Sequence, residues 1–105
     1  MKYEIVWSAF AEKQIDDIFN YYTQKATYKL ALDIVTKILL APDILIDNPK
    51  IGQKEQTLQH RLIDYHYILA LNYKIIYSID HDEMLIKIAD VFDTRQNPNK
   101  IEREK

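Results

Sequence analysis

The sequence predicts an α+β domain in which an antiparallel pair of helices packs on one face of a small antiparallel sheet. Residues 65–93 contain three runs rich in β-branched and aromatic residues, separated by short polar breaks, which is typical of a three-stranded meander. Residues 9–25 and 28–47 instead carry apolar residues at helical spacing, and few residues join them. The predicted order is therefore β-α-α-β-β-β, with a further strand if residues 58–63 are extended.

The elements that precede the meander have local start and stop signals. Residues 2–7 alternate apolar and polar side chains, which predicts a short strand. Ser8 and Thr27 stand where a hydroxyl can cap the first turn of each helix. Pro42 removes a backbone donor, so the second helix should kink or be interrupted there. Asn48-Pro49 should then end the second helix.

The meander predicts one buried and one uncovered sheet face, because side chains alternate along a strand. A tight hairpin that pairs Ile79 with Met84 places these residues on the core face: Tyr73, Ile75, Tyr77, Ile79, Met84, Ile86 and Ile88. The opposite face then carries Tyr65, Tyr67, Leu69, Lys74, Ile76, Ser78, Leu85, Lys87, Ala89 and Val91, with Arg95 near its end. The two helices cover the core face, and nothing is left to cover the opposite one.

Composition limits the classes of protein. The chain of 105 residues is long enough for one domain, predicted over residues 1–98 with a charged tail at 99–105. A net charge of −2 argues against a generic nucleic-acid binder. The chain has no cysteine, which excludes thiolate catalysis, and its one glycine excludes a Gly-rich phosphate loop. Without a signal peptide or a long apolar run, we expect a cytoplasmic protein with no membrane association.

The three histidines do not predict a metal site, because they share no ligand spacing. His66 falls on the predicted core face, where a buried histidine with satisfied hydrogen bonds is expected. His81 lies in a predicted turn facing solvent. His60, beside Arg61, is the histidine that the uncovered face could reach. We therefore expect neither a metal nor another cofactor.

Three segments together resemble the RelE/ParE superfamily of toxins from type II toxin–antitoxin modules, which includes plasmid stabilisation proteins. They are NYKIIYSID at 72–80, VFDTRQNP at 91–98 and NPKIG at 48–52. The resemblance covers nearly the whole chain, and the order of elements matches. It differs at Leu71, where the family commonly has glycine. The resemblance implies that the sheet face opposite the helices contacts the target and the antitoxin.

The resemblance implies growth inhibition by one of two mechanisms. RelE-like members cut mRNA in the ribosomal A site, whereas ParE-like members poison DNA gyrase without cutting nucleic acid themselves. A nuclease needs groups that orient the ribose 2′-OH and stabilise charge on the phosphate. Lys74 and Arg95 match basic residues of the nuclease branch. A tyrosine or histidine typical of that branch is replaced near Ile101, and a pair of lysines by Tyr65 and Tyr67.

The sequence therefore favours a ParE-like toxin that a cognate antitoxin neutralises, in a toxin–antitoxin hetero-oligomer. A RelE-like ribosome-dependent mRNA endonuclease, with Lys74 and Arg95 as catalytic residues, is the alternative. A second alternative is a degenerate module that only binds its antitoxin. The residues expected to bind the target or the antitoxin are Arg61, Tyr65, Tyr67, Lys74, Lys87 and Arg95. Two simpler interpretations stay open: Arg95 pairs with Asp93 or Asp90, and Lys74 only keeps the surface soluble.

Overall fold

A computed structural model describes residues 2–58, 60–96 and 100–101, and it confirms the α+β class. Two helices pack against a five-stranded sheet. The elements, in chain order, are β1 (Glu4–Trp7), α1 (Ala9–Lys25), α2 (Tyr28–Leu40), β2 (Gln53–Lys54), β3 (His66–Ala70), β4 (Tyr73–Asp80) and β5 (Leu85–Asp93). Short 3-10 turns at Ala41–Leu45, Pro49–Ile51 and Gln56–Leu58 fill the connection from α2 to β3.

The sheet has the strand order β1-β5-β4-β3-β2 and is mixed rather than wholly antiparallel. β1 runs parallel to β5, because the helical hairpin carries the chain across the sheet between β1 and the meander. The β3–β4 and β4–β5 pairings are antiparallel, as predicted, and β2 also pairs antiparallel with β3. The described residues among 58–63 form turns and bends instead of a strand, so the extra strand, β2, comes earlier.

Both predicted helix caps are confirmed. The Ser8 hydroxyl accepts the backbone N–H three residues later at 3.0 Å, and Thr27 does the same at 3.1 Å. The predicted interruption near Pro42 is confirmed, although the helical segment ends at Leu45 rather than at residue 47. α2 ends at Leu40, and the chain continues as a 3-10 turn that contains Pro42, which has no N–H to donate to the helix.

The predicted core face is confirmed. Ile75 and Ile88 are completely buried, whereas Lys87 on the opposite face is exposed. The buried residues that form the core with them are Ala11, Ile15, Val35, Ile38, Leu45, Ala70, Tyr73, Tyr77, Ile86 and Val91. The hairpin pairs Ile79 with Ile86 instead of Met84. A shift by two residues keeps Ile86 and Ile88 on the core face, but Met84, which the sequence predicts on that face, lies in the turn before β5.

A β-bulge at Ala89 changes the faces of the last part of β5. Ile76 pairs with Asp90, and Tyr77 pairs with Ile88, so Ala89 has no partner residue on β4. Beyond the bulge the alternation is reversed. Val91 is therefore buried in the main core, and its predicted place on the opposite face is wrong.

The opposite sheet face is partly covered, contrary to prediction. Leu58, Ile76, Phe92 and Ile101 form a second buried cluster on it, which we call the second cluster. Ile101 is 1% exposed although it lies in the segment predicted to be a charged tail. The second cluster thus joins the loop before β3, two strands and the end of the described chain.

The segment at 48–52 packs around the buried hydroxyl of Tyr77. Tyr77 Oη donates to the Pro49 carbonyl at 2.9 Å and accepts the Gly52 N–H at 3.1 Å. A Cβ at Gly52 would collide with the Tyr77 hydroxyl and lie 2.8 Å from the Tyr67 carbonyl oxygen. Glycine is required here because the backbone approaches the side chain of Tyr77 closely.

Candidate functional site

Lys74 lies on β4 and is held by a buried carboxylate. Its Nζ is 2.8 Å from Oε1 of Glu55 and 4.3 Å from the centroid of the Tyr67 ring. Glu55 is 2% exposed, and its Oε2 accepts bonds from the Thr57 hydroxyl at 2.8 Å and the Thr57 N–H at 3.2 Å. Burial opposes ionisation of Glu55, but the hydrogen bonds from Lys74 and Thr57 outweigh it and lower its pKa.

This pairing makes Lys74 part of the folded framework. Its side chain is 24% exposed, and its charge is neutralised by a carboxylate that cannot reach water. The interpretation of Lys74 as a solubilising surface residue is therefore wrong. Glu55 was missed because it stands in a polar loop 19 residues away, where hydrophobic periodicity gives no signal.

Arg95 follows β5 and is paired with Asp93, which confirms the simpler interpretation of this arginine. Asp93 accepts Arg95 Nη2 at 2.8 Å, Nε at 3.0 Å and the Arg95 backbone N–H at 2.9 Å. Asn72 Nδ2 adds a further bond at 3.0 Å. The hydrogen bonds from Arg95 hold the pKa of Asp93 below its usual range, and Asp93 in turn raises the pKa of Arg95.

Lys74 and Arg95 contact opposite sides of the sheet. Lys74 pairs with Phe92 across the strands, on the face of the second cluster. Arg95 is bonded to Asp93, which pairs with Tyr73 on the helix-covered face. Arg95 lines a cavity together with Gln14, Asp17 and Tyr21 of α1. The expectation that Arg95 ends the opposite face is wrong, because the bulge reverses the alternation.

The other predicted binding residues lie on or near the face of the second cluster. Tyr65 and Tyr67 are partly buried and pack against the cluster, and Tyr67 also donates to Gln53 at 3.1 Å. Lys87 is exposed and forms an ion pair with Asp80 at 3.3 Å. Arg61 is partly buried in the loop before β3. Of the predicted set, Arg95 is thus the residue that faces the helices.

Two cavities open at opposite ends of the β4–β5 hairpin. One has a volume of about 390 Å³ and is lined by Gln14, Asp17, Ile18, Tyr21, Tyr73, Val91, Asp93, Arg95 and Gln96. The other, of about 640 Å³, is lined by Tyr3, Asp47, Asn48, Pro49, Lys50, Ile51 and His81. At its wall, the hydroxyl of Tyr3 lies 2.9 Å from Nδ1 of His81.

The three histidines have different surroundings. His66 stacks on Tyr77 with ring centroids 5.8 Å apart, and its buried Nδ1 has no hydrogen-bond partner among the described residues. The expectation that all polar atoms of His66 are satisfied is therefore wrong. Within residues 2–58, 60–96 and 100–101, no group of three or more His, Cys, Asp or Glu could hold a metal. Nor does that part of the chain contain a helix long and apolar enough to cross a membrane.

Comparison with known proteins gives one family and one fold. The family model described as "ParE toxin of type II toxin–antitoxin system, parDE" matches residues 5–98. A solved structure entitled "Chromosomal ParDE TA system from P. aeruginosa" contains a chain with the same fold, at a TM-score of 0.70 and 15% sequence identity. The similarity covers 87% of this chain and 95% of that one. No curated protein matches the sequence.

Proposed function

Because the chain belongs to the ParE toxin family of type II toxin–antitoxin systems, we propose that it inhibits growth by poisoning DNA gyrase and does not cut RNA itself. The observation that carries this proposal is the separation of the two candidate catalytic cations. Lys74 is bound to buried Glu55 on one side of the sheet, and Arg95 is bound to Asp93 on the other. Because they lie on opposite sides of the sheet, the two cations do not face a common position for a phosphate.

An RNA-cutting site would need these charges to converge. Stabilising a pentacoordinate phosphate requires donors aimed at the same developing negative charge, and each such donor is worth about a hundredfold to a thousandfold in rate. To bring Lys74 to a phosphate, its bond to Glu55 would have to break, leaving a carboxylate that is 2% exposed without its cation. That cost favours a structural role for Lys74.

The position of Ile101 also supports a mechanism without nuclease activity. This residue stands near the place where the nuclease branch carries a tyrosine or histidine for acid–base chemistry. Here the side chain is apolar and buried against Leu58, Ile76 and Phe92. A group packed in this way can neither donate nor accept a proton.

We further propose that a cognate antitoxin neutralises this toxin in a hetero-oligomer by folding onto its exposed apolar surface. Ile76 and Val91, which the sequence predicts to be exposed, are buried. The exposed apolar side chains near the β3–β4 hairpin and the loop before it are Leu62, Ile63, Leu69 and Leu71. β1 and β2 are the two edge strands, which an extended segment of another chain can pair with.

The direct test of target and mechanism uses purified components. The wild-type protein is incubated with gyrase, ATP and supercoiled plasmid, and in parallel with ribosomes stalled on a defined mRNA. We expect linear plasmid DNA that depends on gyrase and appears after protease treatment, and intact mRNA. Codon-phased cuts without trapped DNA would instead identify the ribosome-dependent nuclease. Antitoxin binding with neither activity would identify a degenerate module.

Arg95 variants sharpen this test. In a nuclease, Arg95→Lys would keep the charge but lose the planar fork, so cleavage should fall nearly as far as in Arg95→Ala. In a gyrase poison, neither variant can affect RNA cleavage, because none occurs in the wild type. Far-UV circular dichroism verifies that both variants fold, so a loss of activity is not confused with unfolding.

A further inference from the structure

We propose that the outer side of α2 binds a second copy of this chain, with the two α2 helices packed antiparallel. This side carries Leu30, Asp33, Lys37 and Leu40, and the 3-10 turn that follows α2 adds Ile44. The five positions are separated alternately by three and four residues, which is the spacing of the contact seam between two packed helices. We call these five residues the α2 seam.

The α2 seam is exposed and faces away from the sheet. Leu40 and Ile44 are each more than half exposed, and the other three side chains are exposed as well. On the inner side of the helix, Val35 and Ile38 are buried in the main core. An α-helix turns by about 100° per residue, so the seam lies roughly opposite these two residues. A helix that also carries leucines at this spacing on its outer side buries them when a second helix packs on it.

The charges of the α2 seam fit a second copy in one orientation. If two α2 helices cross antiparallel at the level of Val35, Asp33 of each copy lies opposite Lys37 of the other. Leu30 then lies opposite Leu40. This pairing is the same from either copy, as a two-fold interface requires. A parallel pair would instead place Asp33 against Asp33 and Lys37 against Lys37, and repulsion between like charges disfavours that orientation.

The same two charges distinguish a second copy from a partner of other chemistry. A wholly apolar helix packed on the α2 seam would cover Asp33 and Lys37 without supplying an opposite charge to either, which costs desolvation free energy. A nucleic-acid backbone would be attracted by Lys37 but repelled by Asp33, about one helical turn away. A second copy supplies both opposite charges and both leucines at once.

Self-association through the α2 seam leaves the sheet face that carries the second cluster open in both copies. The helices cover the other face of the sheet, so two copies joined through α2 direct their second clusters away from each other. The contact uses one helix from each copy, and an interface of this size is weak. We therefore expect a dissociation constant on the order of 100 μM.

Sedimentation equilibrium of the whole protein, at concentrations below and above this value, tests the proposal. We expect the wild type to change from monomer to dimer as its concentration rises. Asp33→Lys and Lys37→Asp should each raise the dissociation constant at least about tenfold, because two-fold symmetry brings like charges together at both charged positions. A monomer at every concentration, or a dimer that neither variant weakens, would overturn the proposal.

An equimolar mixture of the two variants gives the sharpest outcome. One variant then carries two positive charges on the α2 seam and the other carries two negative charges, so opposite charges meet at both positions. We expect the mixture to dimerise at least as tightly as the wild type, although neither variant does so alone. A mixture that stays monomeric would contradict the assigned pairing of Asp33 with Lys37.

Matched changes outside the α2 seam separate this surface from general charge and apolarity. Asp82→Lys, in the turn between β4 and β5, makes the same change of charge as Asp33→Lys and should leave the dissociation constant unchanged. Leu40→Ser should weaken the dimer, whereas Leu62→Ser, at a fully exposed leucine in the loop before β3, should not. Equal effects inside and outside the seam would contradict the proposal. No toxin activity is measured, so failure here is distinct from failure of the proposed function.

Discussion

At the scale of single residues, Lys74 and Arg95 show how burial changes the role of a cation. The resemblance described above makes both of them candidate catalytic residues of a nuclease. Lys74 neutralises Glu55, a carboxylate without access to water, so removing it would leave a buried charge unpaired. Arg95 pairs with Asp93 at the surface, where solvent screens the pair.

The replacement Lys74→Gln should therefore destabilise the fold. We expect the free energy of unfolding near pH 7 to fall by about 3 kcal/mol, the lower end for breaking a buried ion pair, because Lys74 is partly exposed. Urea unfolding measures this. Lys87→Gln is the matched control, since it removes an exposed ion pair on the same sheet face and should have little effect. Equal effects of the two replacements would contradict the structural role of Lys74.

The Glu55–Lys74 pair also predicts a pH dependence. Since the pKa of Glu55 is lowered in the folded protein, its stabilising contribution is complete above the unfolded value, about 4, and is lost as pH falls through the folded value. In Lys74→Gln, only the Thr57 hydrogen bonds remain to oppose burial, so the pKa of Glu55 should be higher than in the wild type. The stability difference between wild type and variant should shrink below about pH 4. A difference that is constant from pH 7 to 3.5 would contradict this mechanism.

Leu71 occupies a backbone conformation that suits glycine. Its φ is 57° in the β3–β4 turn, a value that glycine adopts without strain. Leu71→Gly should raise the free energy of unfolding by about 1 kcal/mol, because the strain of a Cβ at positive φ is removed. The matched control is Leu69→Gly, an exposed leucine within β3, which should destabilise. Thermal unfolding that shows a loss of stability in Leu71→Gly would contradict the assignment.

At the scale of elements, local patterns were predicted well, and what depends on tertiary contacts was not. The caps at Ser8 and Thr27 and the faces of β4 follow from neighbouring residues and were correct. The bulge at Ala89 was not visible, because an extra residue leaves no gap in a run that is apolar on both sides. The prediction from the sequence therefore placed Val91, and with it Arg95, on the wrong face of the sheet.

The position of β4 and β5 in the core can be tested by creating cavities. Ile75→Ala and Ile88→Ala should each lower the free energy of unfolding by about 2–5 kcal/mol, because both side chains are fully buried under the helices. Denaturant unfolding at constant m-value measures the change. Leu62→Ala, at a fully exposed leucine, is the control and should be near neutral. Similar losses at all three positions would contradict the core assignment.

At the scale of the whole molecule, the fold has two apolar clusters where the sequence predicts one. The second cluster brings together residues from positions 58, 76, 92 and 101. No periodicity connects segments so far apart, and Leu58 and Ile101 stand alone among polar neighbours. The ion pair of Glu55 and Lys74 was missed for the same reason. The sequence therefore predicts which residues belong to the candidate site, but not how these residues are arranged in space.

Ile101 should contribute to stability although it lies close to the C-terminal end of the sequence. Ile101→Ala should cost about 2 kcal/mol, the lower end for a buried isoleucine, because the second cluster is smaller than the main core. Ile51→Ala removes an exposed isoleucine of equal size and serves as the control. Chemical denaturation compares the two. If Ile101→Ala is as neutral as the control, the second cluster does not stabilise the fold.

We expect this protein to stop DNA replication and to leave mRNA uncut. The most direct measurement is pulse labelling after the wild-type protein is induced in bacteria without its antitoxin, with thymidine and methionine incorporation followed in the same culture. We predict that thymidine incorporation falls first, while methionine incorporation persists and full-length mRNA remains. An immediate fall in methionine incorporation, accompanied by codon-phased mRNA fragments, would contradict the claim.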